Sequence, residues 1–129
     1  MKQLVLAMLL LGWCASVWSD EKPSSLSDAR AAIEANLKTP QGKAYDEKFG
    51  NDLMQHYIGG MRQCKQSSGG DSQSFWMLFR LKQDGSVREI LLAPATKTAS
   101  CDRDLLMKAR FSPPPRDDYW QGLYLNMGR

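Results

Sequence analysis

The sequence is poor in the residues that carry most enzyme chemistry. It has one histidine, His56, and three cysteines, Cys14, Cys64 and Cys101. It lacks a Cys-x-x-Cys pair, a Gly-x-Ser-x-Gly elbow and a Gly-x-x-x-x-Gly-Lys loop. Those absences argue against thiol–disulfide catalysis, an α/β-hydrolase nucleophile and a phosphate cradle respectively. Charge of one sign is also lacking: 17 Lys and Arg stand against 14 Asp and Glu, and they are mixed along the chain. Such a balance gives no electrostatic footprint for nucleic acid or an anionic membrane surface. The one long apolar run, Leu4 to Val17, is shorter than the roughly 20 residues a membrane helix needs.

That run is better explained as part of an export signal. Lys2 supplies a positive start, Leu4 to Val17 the apolar centre, and Val17, Trp18 and Ser19 a cleavage region before Asp20. A retained amino-terminal anchor is the alternative reading of the same residues. Trp13 stands directly before Cys14, where a lipoprotein signal places a small residue, so lipidation is not expected. Cleavage after residue 19 removes Lys2 and Cys14, leaving a mature charge of +2 and an even pair of cysteines. In an exported chain the pair Cys64 and Cys101 reads as one disulfide. The expected organisation is a signal over residues 1–19, a loose lead-in over 20–26, and a single domain over 27–129.

Periodicity supplies the elements of that domain. From Ser27, a candidate N-cap, Ala29, Ile33 and Leu37 mark one apolar helical face, and Thr39 to Gly42 break it. Tyr45, Phe49, Leu53, Tyr57 and Met61 recur every four residues, with Met54 and Ile58 widening the stripe of a second, core-facing helix. Gly59 and Gly60 mark a kink or early end there, because glycine weakens a helix interior. The period then changes to two. Phe75, Met77, Phe79 and Leu81 alternate with Trp76, Leu78, Arg80 and Lys82, Asp84 and Gly85 form a two-residue hairpin turn, and residues 86–93 return. Ser100 is placed to cap a helix beginning at Cys101, packed by Leu105, Met107 and Ala109. Pro113 to Pro115 form a stiff extended strut, and residues 117–127 follow as a last strand. Tyr119, Leu123, Leu125 and Met127 share one face of it, Trp120 and Tyr124 the other. The expected fold is α+β, with helices packed on a small antiparallel three-stranded sheet in the order α-(α)-β-β-α-β, and one disulfide.

A cysteine before the first strand (Cys64), an Asp-Gly turn (Asp84, Gly85), a second cysteine at a short helix (Cys101) and a proline run (Pro113 to Pro115) occur here in a distinctive order. The order resembles the carboxyl-terminal domains of the TolA and TonB proteins over about residues 43 to 127, with TolA the nearer in character. The resemblance implies a periplasmic, non-enzymatic adaptor whose partners are other envelope proteins, engaged in several family members through a sheet edge. An edge strand carries unpaired amides and carbonyls that an extended partner can use. Trp120, Gly122, Tyr124 and Asn126 of the last strand are the candidate contact residues if that strand lies at an edge; packing of Trp120 and Tyr124 beneath the strut or the first helix is the competing reading. TolA and TonB themselves carry a membrane helix and long spacer before this domain. Neither is expected here, so energy transduction is not carried over.

Other functions find weaker support. His56 lies on the flank of the helical stripe, and Asp117 and Asp118 would diverge in a strand, so neither forms an acid–base pair. His56 with Met54 and Met61 offers soft ligands to copper, but the same positions make a core stripe. No catalytic residue, metal or cofactor is expected. A periplasmic small-ligand-binding or toxin-neutralising protein is the alternative that bulk properties allow equally.

Overall fold

The computed structural model describes residues 24–69 and 72–127. The signal assigned to residues 1–19 and the start of the lead-in lie outside them. The elements are α1 (Leu26–Leu37), α2 (Pro40–His56), α3 (Ile58–Ser67), β1 (Phe75–Leu81), β2 (Val87–Ala93), α4 (Lys97–Leu106) and β3 (Tyr119–Leu125). The fold is α+β, and the antiparallel sheet has the order β2-β1-β3. No helix among the described residues is long and apolar enough to cross a membrane.

Helix boundaries follow side-chain capping. Ser25, rather than Ser27, caps α1, because its Oγ accepts from the Asp28 amide at 3.1 Å. Thr39 then links two helices at once: its Oγ1 donates to the Asn36 carbonyl at the end of α1 and accepts from the Gly42 amide at the start of α2. Gly42 has no alternative there, since a Cβ would stand 1.8 Å from the Asn36 carbonyl oxygen. Thr96 caps α4 through the Ala99 amide, so that helix starts at Lys97 and both Ser100 and Cys101 fall inside it. Its buried residues are Thr98, Ala99, Asp102 and Leu106, whereas Met107 caps its carboxyl end and is exposed.

The expected four-residue stripe is the main core. Tyr45, Phe49, Leu53 and Met61 are buried, together with Phe75, Met77, Phe79 and Leu81 of β1. The interruption falls at Tyr57, between α2 and α3, instead of at Gly59. Tyr57 is held there by tertiary contacts: its ring packs on Phe111, and its hydroxyl donates to the Arg110 carbonyl and accepts from the Arg110 amide. Gly60 serves packing instead, since a Cβ would lie 2.7 Å from Leu105 Cδ2 of α4. Met54 points away from the core and is exposed.

The hairpin turn is one residue longer than expected. Lys82 pairs with Ser86, enclosing Gln83, Asp84 and Gly85, and the strand register shifts between Arg80 and Leu81. Gly85 takes φ +87, the left-handed position that a three-residue hairpin loop requires. Its carbonyl accepts from the Phe111 amide, so the turn is pinned to the segment after α4.

The prolines do not end α4, which stops at Leu106. They carry the chain along α2, where the Tyr45 hydroxyl donates to the Ser112 carbonyl and the Ser112 amide donates to Asp52. Asp118, at φ 58, turns the chain into β3 and lies outside the strand. The sheet therefore has helices on both faces. α2, α3 and α4 cover one, and α1 covers part of the other through Ala29 and Ile33, which pack on Leu78 with Leu91 and Trp120.

Cys64 of α3 and Cys101 of α4 form the expected disulfide, with Cα atoms 5.5 Å apart. It fastens the pair of helices that Gly60 and Leu105 already bring into contact.

Candidate functional site

Among the described residues the topology places β3 at an edge, paired only with β1. In an antiparallel strand the amide and carbonyl of one residue point to the same side and alternate along the chain. The carbonyls of Trp120 and Gly122 accept from side chains, Asn36 Nδ2 at 3.0 Å and Gln121 Nε2 at 3.2 Å. These residues face outward, and by alternation Tyr124 does too.

The candidate contact residues therefore divide. Trp120 is half-buried against α1, with its carbonyl occupied by Asn36. Gly122 sits beneath Ile33, where a Cβ would lie 3.3 Å from Ile33 Cγ2. Asn126 lies beyond the strand and receives the Ser74 hydroxyl. Tyr124 is 49% exposed and belongs to the open part of the edge.

Trp76, absent from the sequence-derived set, completes that part. It lies directly opposite Tyr124 on β1, is 41% exposed, and its ring centroid is 4.9 Å from that of Tyr124. Alternation along the strand puts Trp76 with Leu78 on its second face, but only the register sets it opposite Tyr124. An exposed aromatic pair on a sheet face is a large apolar contact held rigid by its backbone. Beside it opens a groove of about 280 Å³ between α1 and the sheet, walled by Ile33, Leu37, Leu78 and Gly122 and flanked by Arg30 and Glu34.

The opposite end of this face is closed by charge. The Arg80 guanidinium donates to both Asp118 oxygens and to Glu89, while Arg88 lies 3.9 Å from Asp118. The bond to Arg80 holds the Asp118 carboxyl below the usual carboxylate range. Glu89 also accepts from the Ser24 hydroxyl at 2.7 Å, which ties down the chain entering α1. Polar residues thus secure one end of the face and leave the aromatic end open.

His56 is exposed at the end of α2, beside Tyr57. Met54 is exposed while Met61 is buried, so the two thioethers considered with it do not converge. Among the described residues, no group of three His, Cys, Asp or Glu side chains converges to hold a metal. Comparison with family models, curated proteins and solved structures returned no match.

Proposed function

We propose that this chain is an exported, periplasmic protein–protein interaction domain without catalytic activity, an accessory or adaptor of the cell envelope. The observation that carries the reading is the Trp76–Tyr124 pair beside the open end of the β3 edge. A partner segment in extended conformation gains ladder hydrogen bonds from the open end of β3 and lays an apolar side chain into the groove under α1. The disulfide supports an oxidising compartment. The resemblance to the TolA and TonB carboxyl-terminal domains points the same way.

Ligand binding is the second reading, favoured by the groove itself. Its volume of about 280 Å³ lies at the lower limit of small-molecule pockets, and it is open along the sheet. That shape suits a side chain of a larger partner better than an enclosed ligand.

The test is photocrosslinking in cells from a probe at position 76. A discrete envelope-protein adduct that survives Tyr124→Phe and disappears with Tyr124→Pro, which removes an outward amide, supports strand addition. An adduct indifferent to both changes moves the partner elsewhere, and no adduct favours the ligand-binding reading.

A further inference from the structure

α4 carries two polar side chains into the core one turn apart. Thr98 is 1% exposed and Asp102 2% exposed, and among the described residues neither Thr98 Oγ1 nor Asp102 Oδ1 has a hydrogen-bond partner. A buried carboxyl oxygen without a donor is costly, and the burial pushes Asp102 up to about 7. Native interiors rarely leave such groups unmatched.

A cavity of about 120 Å³ borders both side chains. Its walls are Ile58, Met61, Leu125 and Met127, and its rim carries the exposed cations Arg62 and Lys65. Neither cation forms an ion pair among the described residues. The arrangement runs from an acidic and hydroxylic base, through an apolar wall, to a basic rim. Methionine side chains at the wall re-pack readily around a guest.

We infer that this cavity binds an aliphatic primary amine whose far end carries an anion, the chemistry of an ω-amino carboxylate or of a carboxy-terminal lysine. The ammonium donates to Asp102 and Thr98, the methylene chain lies on Ile58, Met61, Leu125 and Met127, and the carboxylate meets Arg62 and Lys65. The three parts of the ligand answer three groups of residues that the fold otherwise leaves without a common purpose. The site lies on the α3–α4 side of the sheet, away from the Trp76–Tyr124 face, and does not depend on the adaptor reading.

Binding requires the ionised carboxylate. Besides Asp102, the charged residues that line the cavity are Arg62 and Lys65 of α3; β3 and the residues after it contribute Leu125 and Met127. Affinity therefore rises with pH until Asp102 is ionised and then levels.

The test is calorimetric titration of the oxidised full-length protein with 6-aminohexanoate, hexanoate and n-butylamine, with chemical shifts followed at Ile58, Met61 and Leu125. The expected result is tightest binding of 6-aminohexanoate, weakened about tenfold or more by Asp102→Asn, the scale of one lost charge-assisted contact. Arg62→Gln with Lys65→Gln should narrow its advantage over n-butylamine. Equal binding of hexanoate, an unaffected Asp102→Asn variant, or no binding overturns the proposal. Thr98→Val, assayed beside Asp102→Asn, guards against misfolding of either. Free 6-aminohexanoate against acetyl-Gly-Lys distinguishes a free amino acid from a chain end, and preference for either upholds the site.

Discussion

Asn36 of α1 donates its side-chain amide to the main-chain carbonyl of Trp120, at 3.0 Å. A helix thereby occupies a hydrogen-bonding position on an edge strand, and the opposite end of the same amide accepts from Arg116. The contact limits the open edge to the stretch around Tyr124. It is one of the ways a protein keeps an edge from pairing indiscriminately.

Asn36→Leu should destabilise the fold by about 1–3 kcal/mol, because it leaves a partly buried carbonyl and a guanidinium donor unmatched. The same variant should associate with itself more readily, the released edge being longer. Urea denaturation measures the first effect and sedimentation the second.

The glycines of the helices should respond unequally to alanine. Nothing lies within 4 Å of a Cβ placed at Gly50, so Gly50→Ala should stabilise by up to about 1 kcal/mol through helix propensity. A Cβ at Gly60 meets Leu105 Cδ2 at 2.7 Å, the end of a side chain that must turn aside, so Gly60→Ala should gain less than Gly50→Ala or nothing. Paired thermal melts of the two variants read the difference.

Cys101→Ser should lower stability by up to about 4 kcal/mol, the chain-entropy value for the separation of 37 residues between the cysteines. Reductant should shift the melting temperature of the native protein toward that of the variant and leave the variant unchanged.

The pH dependence has two limbs of opposite sign. Asp102 is raised to about 7 when folded, above its unfolded value of about 3.9, so the folded state holds the extra proton between these values. Stability should fall as pH rises from about 4 to about 7 and then level, and Asp102→Asn should flatten that limb. Asp118 is lowered by its bond to Arg80, so its contribution is present above its unfolded value and lost in acid as pH falls through its folded value. Asp118→Asn should change only the acid limb. Denaturant midpoints across pH separate the two.

Much of this architecture can be read from residue order, because its signals are periodic. The spacing of Tyr45, Phe49, Leu53 and Met61 and the alternation from Phe75 to Leu81 each follow from one buried face. The errors fall where several residues can satisfy the same local rule. Ser25 and Ser27 are both competent caps, as are Thr96 and Ser100, and only the tertiary position of the helix decides between them. Tyr57 interrupts a helix that the glycines would have interrupted two residues later, since its hydroxyl and ring are claimed by Arg110 and Phe111. At the candidate edge, Tyr124 could be named from its strand position. Its cross-strand partner Trp76 could not, because the β1–β3 register joins residues far apart in the chain. A helix capped by Ser100 would hold Asp102 in its first turn; starting α4 four residues earlier makes it a buried residue.

β1 lies between β2, its neighbour in sequence, and β3, which returns only after α4 and the proline segment. Pairing with β2 closes a tight turn, whereas pairing with β3 must first overcome the entropy of a long loop. During synthesis the hairpin is therefore available before its second neighbour, with the β3-facing side of β1 unfilled. Until β3 arrives, the chain presents a sticky strand carrying Phe75, Met77 and Phe79, and its safety in a crowded compartment rests on how quickly its last segment is delivered.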